Sequence, residues 1–444
     1  VTPVPANRLL WAVGFVAVLA AIAGPFPALT SVWMLSLALL LVVVLADLFF
    51  SAKRAALPEV TTPAIARFTK DRPGAVSLVF QNATGNARRL RFALGLPAVF
   101  ASERDEAWID LPAGAKHARV DWMCTPRGRG RFTGVIACAE VGSRLGFWRL
   151  RARTPLTCEL RVYPNLFSER KQLAALFLSR GEFGSKLQRT VGRGRDFEKL
   201  RDYLPGDGFD EIHWKATAKR GRPITKVFQA ERTQEIYVVI DASRLSGRPV
   251  THEGVTQTVL ERYLTAAMVL LLAADRQGDR FGLVVYDDRV RVSVRAGSGD
   301  GHYAACRDAI LSMQPSATTP DMAEIVRHVR AQIRRRSLLF FLTDLSDPVL
   351  AEDFVKNAGL LARQHLVFIN QLRAPGVAPL FSTGEIADAD EIPAKLAGHA
   401  RWAEAQALAK KLKPLGVTAT LLEDETMAAR VVSQYVQVKQ RQTL

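Results

Sequence analysis

The 444-residue chain has only four cysteines, Cys124, Cys138, Cys158 and Cys306, with no CxxC spacing. That scarcity argues against a disulfide framework or a thiolate zinc site, and leaves small buried hydrophobes in a reducing compartment. Histidines are scattered and none pairs at i and i+4 with another. No Gly-Lys-Ser or Gly-Lys-Thr leads into a helix, no serine sits on a nucleophile elbow and no cysteine pairs with a histidine, so an enzyme is not expected. Acidic residues are also in deficit, 43 against 60 Lys and Arg, for a formal charge of +17. Such a surplus calls for an anionic neighbour: a membrane surface, an acidic protein or nucleic acid.

Charge is missing altogether from Leu9 to Ala46, a run interrupted near its middle by Gly24-Pro25-Phe26-Pro27. Two apolar spans of roughly 17 to 20 residues fit a helical hairpin that crosses a bilayer twice. The alternative, a cleaved signal peptide followed by a buried helix, lacks a small-residue cleavage site before Ser31 to Phe50. Arg8 precedes the first span and Lys53 and Arg54 follow the second, so the positive-inside rule puts both ends in the cytoplasm. Asp47, near the end of the second span, is expected to reach the interface there.

The remainder of the chain is not of disordered composition: apolar residues make up 48% of the whole, enough to bury two or three domain cores. Residues 56–165 alternate with period two, as in Val76, Leu78 and Phe80, or Val120, Trp122 and Cys124. About seven half-buried strands at roughly ten-residue spacing suggest a β-sandwich, with no catalytic constellation, serving as spacer or docking module.

Residues 166–234 look helical around Leu173 to Leu178 and then become basic and aromatic. Gly192 and Gly194 stand ahead of Phe197, followed by Leu200-Arg201, Tyr203, Pro205-Gly206-Asp207, Ile212, Trp214-Lys215, Ala218 and Glu231-Arg232. This set of fixed spacings resembles the bacterial "domain of unknown function 58" family, with one departure, Asp210 where an arginine is expected. The strings Pro126 to Phe132 and Ser143 to Arg151 add to the resemblance. It implies a membrane-anchored chain with a von Willebrand factor A-like domain, and partner-binding residues at Arg201, Tyr203, Asp207, Trp214 and Lys215. Trp214 has two readings, a base-stacking surface or an aromatic wedge packing the segment onto the next domain, and the wedge is favoured.

Residues 235–444 alternate strands, at 236–240, 281–286, 290–294, 338–342, 366–370 and 418–422, with helices near 255–274, 303–313, 321–333, 350–363, 400–413 and 427–440. Alternation of this kind predicts a doubly wound α/β sheet, with one hairpin where Asp287-Asp288 turns. Ligands gather in such sheets at the carboxyl ends of strands where the order reverses. Asp241 ends the first strand and Thr343-Asp344 the fourth, so these should meet.

The resemblance implies a metal-ion-dependent adhesion site there, Asp-x-Ser-x-Ser on the first loop with a threonine and an aspartate from two others, holding Mg²⁺ for an acidic partner side chain. Asp241 and Ser243 match, Thr319 or Thr318 supplies the threonine and Asp344 the last carboxylate, with Asp347 behind it. Leu245 stands where the third oxygen belongs and Ser246 is one residue late, so the Mg²⁺ site is degenerate. The alternative reading of Asp241 and Asp344 is a pair of turn caps.

The chain is therefore expected to be multi-domain: a two-helix membrane anchor (1–55), a β-sandwich (56–165), a basic signature segment (166–234) and a von Willebrand factor A-like domain (235–444). By resemblance its role is that of a scaffold or adaptor for a MoxR-type AAA+ ATPase, in assembling or maturing other, often envelope-associated, proteins. A rival from another class is a membrane-tethered nucleic-acid or anionic-lipid binder using Arg189 to Lys226, with affinity that falls steeply with salt.

Overall fold

The structure is a computed structural model and describes residues 2–26, 29–54, 59–81, 88–112, 114, 116–167, 169, 171, 191–204, 208–209, 212–229, 234–252, 255–380, 382 and 390–440. The expected helix at Leu173 to Leu178, the basic Arg189 and the motif residues Asp207, Asp210 and Glu231-Arg232 lie outside them. The chain divides into two units, Val1–Asn165 and Leu166–Leu444.

In the first unit, α1 (Asn7–Ala23) and α2 (Thr30–Arg54) are apolar around their whole circumference. Residues Thr30–Ser51 are long and apolar enough to cross a membrane; α1 is shorter, about 26 Å at 1.5 Å per residue. The strand before α1, Thr2–Pro5, pairs antiparallel with Trp148–Leu156, and Glu59–Thr61 after α2 pairs with Gly74–Gln81. Both ends of the helical pair thus return to the same β unit, an out-and-back hairpin.

The β part is richer than the alternation suggested. A five-stranded sheet (Thr2–Pro5, Trp148–Leu156, Val135–Gly142, Arg88–Gly95, Ala107–Leu111) faces a four-stranded one (Glu59–Thr61, Gly74–Gln81, His117–Pro126, Phe100–Ser102), and a three-stranded sheet (Ile65–Thr69, Glu159–Tyr163, Gly130–Phe132) adds to the same core. Several of these strands are three to five residues long, too short to show a period. Val76, Leu78 and Phe80 are wholly buried on one face, as their alternation requires. Phe80 meets Phe92 edge to face at 5.0 Å, and Phe92 meets Trp122 at 5.6 Å.

Asp47 is 3% exposed, enclosed by the turn at Ser143 to Leu145. The turn offers N–H and O–H donors that satisfy the carboxylate, so burial is tolerated.

In the second unit, residues Val191–Asp202 and Ile224–Gln229 form an antiparallel pair, with the short helix α3 (Trp214–Arg220) between them. Six strands then make one sheet: β1 (Glu235–Asp241), β2 (Arg280–Tyr286), β3 (Val290–Gly297), β4 (Leu338–Leu342), β5 (Leu366–Leu372) and β6 (Val417–Leu422), ordered β3-β2-β1-β4-β5-β6. All neighbours are parallel except β2 and β3, the expected hairpin. Helices α4 (Val259–Arg276), α5 (Asp300–Ile310) and α9 (Met427–Gln440) bury apolar residues on one face. The other face is covered by α6 (Met322–Gln332), α7 (Pro348–Ala362) and α8 (Glu391–Leu412).

Three helix boundaries differ from the expectation. Residues Val255–Thr258 pair with Pro249–His252 as a small hairpin, and the helix starts at Val259, where the Thr258 hydroxyl accepts the Glu261 N–H at 3.3 Å. Helix α5 runs from Asp300 to Ile310 and not from Tyr303 to Met313. Helix α8 begins at Glu391, nine residues before the expected Ala400, because its early turns are partly exposed and carry no clean apolar stripe.

Candidate functional site

The order of the sheet reverses at β1, whose neighbours β2 and β4 are reached in opposite directions, and the side chains at its carboxyl end converge there. Ile240 is in register with Leu342 of β4 and Asp241 with Tyr286 of β2, which brings Thr343 against Asp241. Asp241 is fully buried. Its Oδ2 accepts the Thr343 hydroxyl at 2.9 Å, and Thr343 Oγ1 in turn accepts the Tyr286 hydroxyl at 3.2 Å. Its Oδ1 accepts the Ser243 backbone N–H at 2.8 Å. Burial pushes the Asp241 carboxyl above the usual carboxylate range, against the pull of donors from Ser243 and Thr343, while the charge of Asp344 pushes the same way. The Ser243 hydroxyl is buried beside it.

Asp344, 2% exposed, is held separately. Its Oδ1 accepts the Ser346 N–H at 2.9 Å and the Gln371 amide at 2.8 Å, while Oδ2 accepts from Arg248 Nη2. Both aspartates bond a backbone N–H two residues on, the turn-capping role that their residue type allows. Two tyrosines feel these carboxylates: burial pushes the Tyr263 hydroxyl well up, with Asp344 and Asp241 adding, and burial and then Asp241 push Tyr286 the same way.

The other expected residues stand around this pair. Thr319 is exposed; its neighbour Thr318 is tied to the Asp241 loop, its carbonyl accepting the Arg244 N–H at 3.0 Å and its hydroxyl lying 2.7 Å from Ser316 Oγ. Ser246 spends its hydroxyl on the Ser243 carbonyl at 2.7 Å, and Leu245 sits in the helical turn Arg244–Gly247. Asp347 caps α7 through the Val349 N–H at 2.9 Å and lies 3.5 Å from the Arg244 guanidinium. The sequence pattern does not single out Arg248, Tyr286, Tyr263 or Gln371. Tyr286 was findable, since it ends the strand expected to flank β1; Arg248 lies in a turn that carries no periodic signal.

The fold leads one to expect Mg²⁺ here, and the residues as arranged do not fit it. A divalent ion needs several oxygens converging with free lone pairs. Both oxygens of Asp241 and both of Asp344 already accept protein donors, and the Leu245 side chain has no oxygen to give. A guanidinium already sits on Asp344. Among the described residues no cluster of three or more His, Cys, Asp or Glu is arranged to hold a metal.

The signature segment is a second surface. His213 caps α3, its Nδ1 accepting the Ala216 N–H at 3.0 Å, and Ile212, Ile224 and Thr225 are buried beneath. Trp214 is 67% exposed, so among the described residues it is a surface side chain and not the expected wedge. Lys215 is exposed beside it, as are Leu204 and Phe209; Arg201 and Tyr203 are half-buried, and Tyr203 lies 6.4 Å from Phe209.

Residues 199–391 match the model of the family described as "Protein of unknown function DUF58". The uncharacterized protein Rv1480 of Mycobacterium tuberculosis (strain H37Rv) is 23% identical over 207 residues, 46% of this chain, and Mb1516 of Mycobacterium bovis is equally similar. The chain spans 62% of the length of these relatives. Among solved structures, the conserved hypothetical protein BatB from Bacteroides thetaiotaomicron is similar over 46% of this chain and 97% of its own, at 14% identity and a TM-score of 0.32. An aerotolerance-related membrane protein from Bacteroides fragilis is similar over 46% and 98%, at 15% identity and a TM-score of 0.30. The family match, residues 199–391, takes in the segment around Trp214 and most of the doubly wound sheet.

Proposed function

We propose that the chain is a membrane-anchored scaffold whose von Willebrand factor A-like domain receives an acidic residue of a protein partner at the carboxyl ends of β1 and β4. The observation that supports this most is the convergence of Asp241, Thr343 and Tyr286 with Asp344 and Arg248 at the switch point, a polar cluster with no nucleophile and base pair to do chemistry. The partner in this reading is a MoxR-type AAA+ ATPase, and the role is assembly or maturation of other, often envelope-associated, proteins. The anchor is the α1–α2 hairpin crossing the inner membrane twice, with both soluble units on the cytoplasmic side where Arg8, Lys53 and Arg54 lie.

The test is a pull-down of the full-length protein from detergent-solubilised native membranes, read by mass spectrometry, with Mg²⁺, with EDTA and after nuclease treatment. Recovery of an AAA+ ATPase that Asp241→Ala loses at equal expression supports the scaffold; unchanged recovery removes the loop face from it. A second reading, a nucleic-acid or anionic-lipid binder, is favoured by the exposure of Trp214 beside Lys215, Lys219 and Arg220. Nuclease-sensitive nucleic acid in the pull-down, with affinity falling steeply in salt, would replace the first reading.

A further inference from the structure

We infer that Arg248 is the resident cation of the switch point: its guanidinium holds Asp344 where a divalent ion would, so the loop face works without metal and presents that guanidinium to an incoming carboxylate. The carboxylate part rests on the reading of the loop face proposed above; the metal part does not.

Asp344 is almost fully buried, and a buried carboxylate needs an opposite charge as well as donors. Ser346 and Gln371 supply neutral donors to Oδ1, and the charge comes from Arg248 on Oδ2. Its position is not accidental. The turn Arg244–Gly247 delivers it: the Arg248 backbone N–H donates to Leu245 O at 3.4 Å, its Nε donates to the same carbonyl at 3.3 Å, and its own carbonyl accepts the Val259 N–H at 3.0 Å. Backbone and side chain are thus tied at three points before Nη2 reaches Asp344. Leu245, the residue that breaks the adhesion-site pattern, is the one whose carbonyl steers the arginine.

An arginine keeps its charge at any physiological pH and needs no loading, unlike an Mg²⁺ site, which fills according to the concentration of the ion. The guanidinium is a fork of five N–H donors, wide enough to bridge two carboxylates. Arg248 Nε and Nη2 are engaged, while Nη1 donates to none of the described residues and the side chain is 37% exposed. Arg244, 51% exposed, adds positive charge at the start of the same turn. The class of ligand this fits is a carboxylate side chain, docked by charge-assisted hydrogen bonds.

The test titrates detergent-solubilised full-length protein with Mn²⁺, read by electron paramagnetic resonance of the free ion, alongside thermal melting in Mg²⁺ and in EDTA. The native chain and Arg248→Lys are expected to take up no Mn²⁺ in the millimolar range and to melt at the same temperature in both buffers. Arg248→Gln, freed of the built-in cation, is expected to take up one Mn²⁺ and to lose it again when combined with Asp344→Asn. Arg248→Met repeats the test should the glutamine variant not melt cooperatively. Uptake by the native chain that Asp344→Asn abolishes overturns the inference, as does a folded Arg248→Gln that binds nothing. No partner is present in these measurements, so their failure leaves the scaffold reading standing, and failure of the pull-down leaves the arginine in place.

Discussion

Ser143 Oγ donates a 2.6 Å hydrogen bond to Asp47 Oδ2, joining the last turns of the apolar helix α2 to a turn between two strands of the β unit. The Leu145 N–H donates to the other oxygen at 3.1 Å, Ser51 adds its hydroxyl at 3.3 Å, and the Trp148 indole donates to Val44 O at 3.0 Å. The β unit is thereby set rigidly on the hairpin instead of swinging from a linker.

Asp47→Ala removes an acceptor for three donors, of which the Ser51 hydroxyl sits on a buried residue and the Ser143 hydroxyl on a half-buried one. A loss of about 1–3 kcal/mol is expected from the desolvated groups, seen as a lower melting temperature in detergent together with a red shift of Trp148 emission as its surroundings admit water. Unchanged melting and emission would mean that the junction is not held by this carboxylate.

Arg262 on α4 is buried and carries the charge of two acids, Asp424 through Nε and Glu169 through Nη1 at 3.2 Å, while Nη2 donates to Asp424 O at 2.6 Å. Truncation to Ala takes this guanidinium away from both carboxylates and is expected to cost about 3–5 kcal/mol in urea unfolding. Arg262→Lys should recover little of it, because an ammonium cannot reach three acceptors in the plane of the fork.

The cysteines are expected to be inert except one. Burial pushes the Cys306 thiol up to about 12 and the Cys124 thiol up to about 11, and Cys158 moves the same way, so almost no thiolate is present at neutral pH. Cys138 is half-buried. N-ethylmaleimide should modify Cys138 alone in the native protein and all four in urea, counted by intact mass; rapid native labelling at Cys306 would contradict the packing around α5.

His365 gives a pH dependence with a defined sign. Burial lowers it from 6.5 to about 4, and its Nδ1 accepts the Ser337 N–H at 3.3 Å, a bond only the unprotonated nitrogen can make. Between those values the unfolded chain binds the proton and the folded chain does not. The contribution is therefore complete above about pH 6.5 and is lost as pH falls towards 4, by on the order of 3 kcal/mol in all. His365→Gln should flatten that part of the stability profile; an equal slope in the variant would assign it to other groups.

Much of the framework was readable along the chain. Strand β4 at Leu338–Leu342 and helix α9 at Met427–Gln440 fall where the apolar pattern put them, because a fully buried strand and an amphipathic helix write their neighbours' demands into adjacent residues. The meeting of Asp241 with Thr343 was legible too, since parallel alternation brings the first and fourth strands together. What misled was local composition without context. Val255 stands at helical spacing from Val259, yet pairing of Val255–Thr258 with Pro249–His252 wins there. Trp214 reads as a packing residue by its type, and lies on the surface.

The sequence by itself determined the elements, their order and the end of β1 as the place to look, because hydrophobic periodicity is a relation among residues a few positions apart. The tertiary structure decided which charges meet. Arg248 reaches Asp344 across 96 residues, and Asp47 reaches Ser143 across another 96. No spacing rule records such pairs, since burial in the finished fold is what makes each aspartate require its partner.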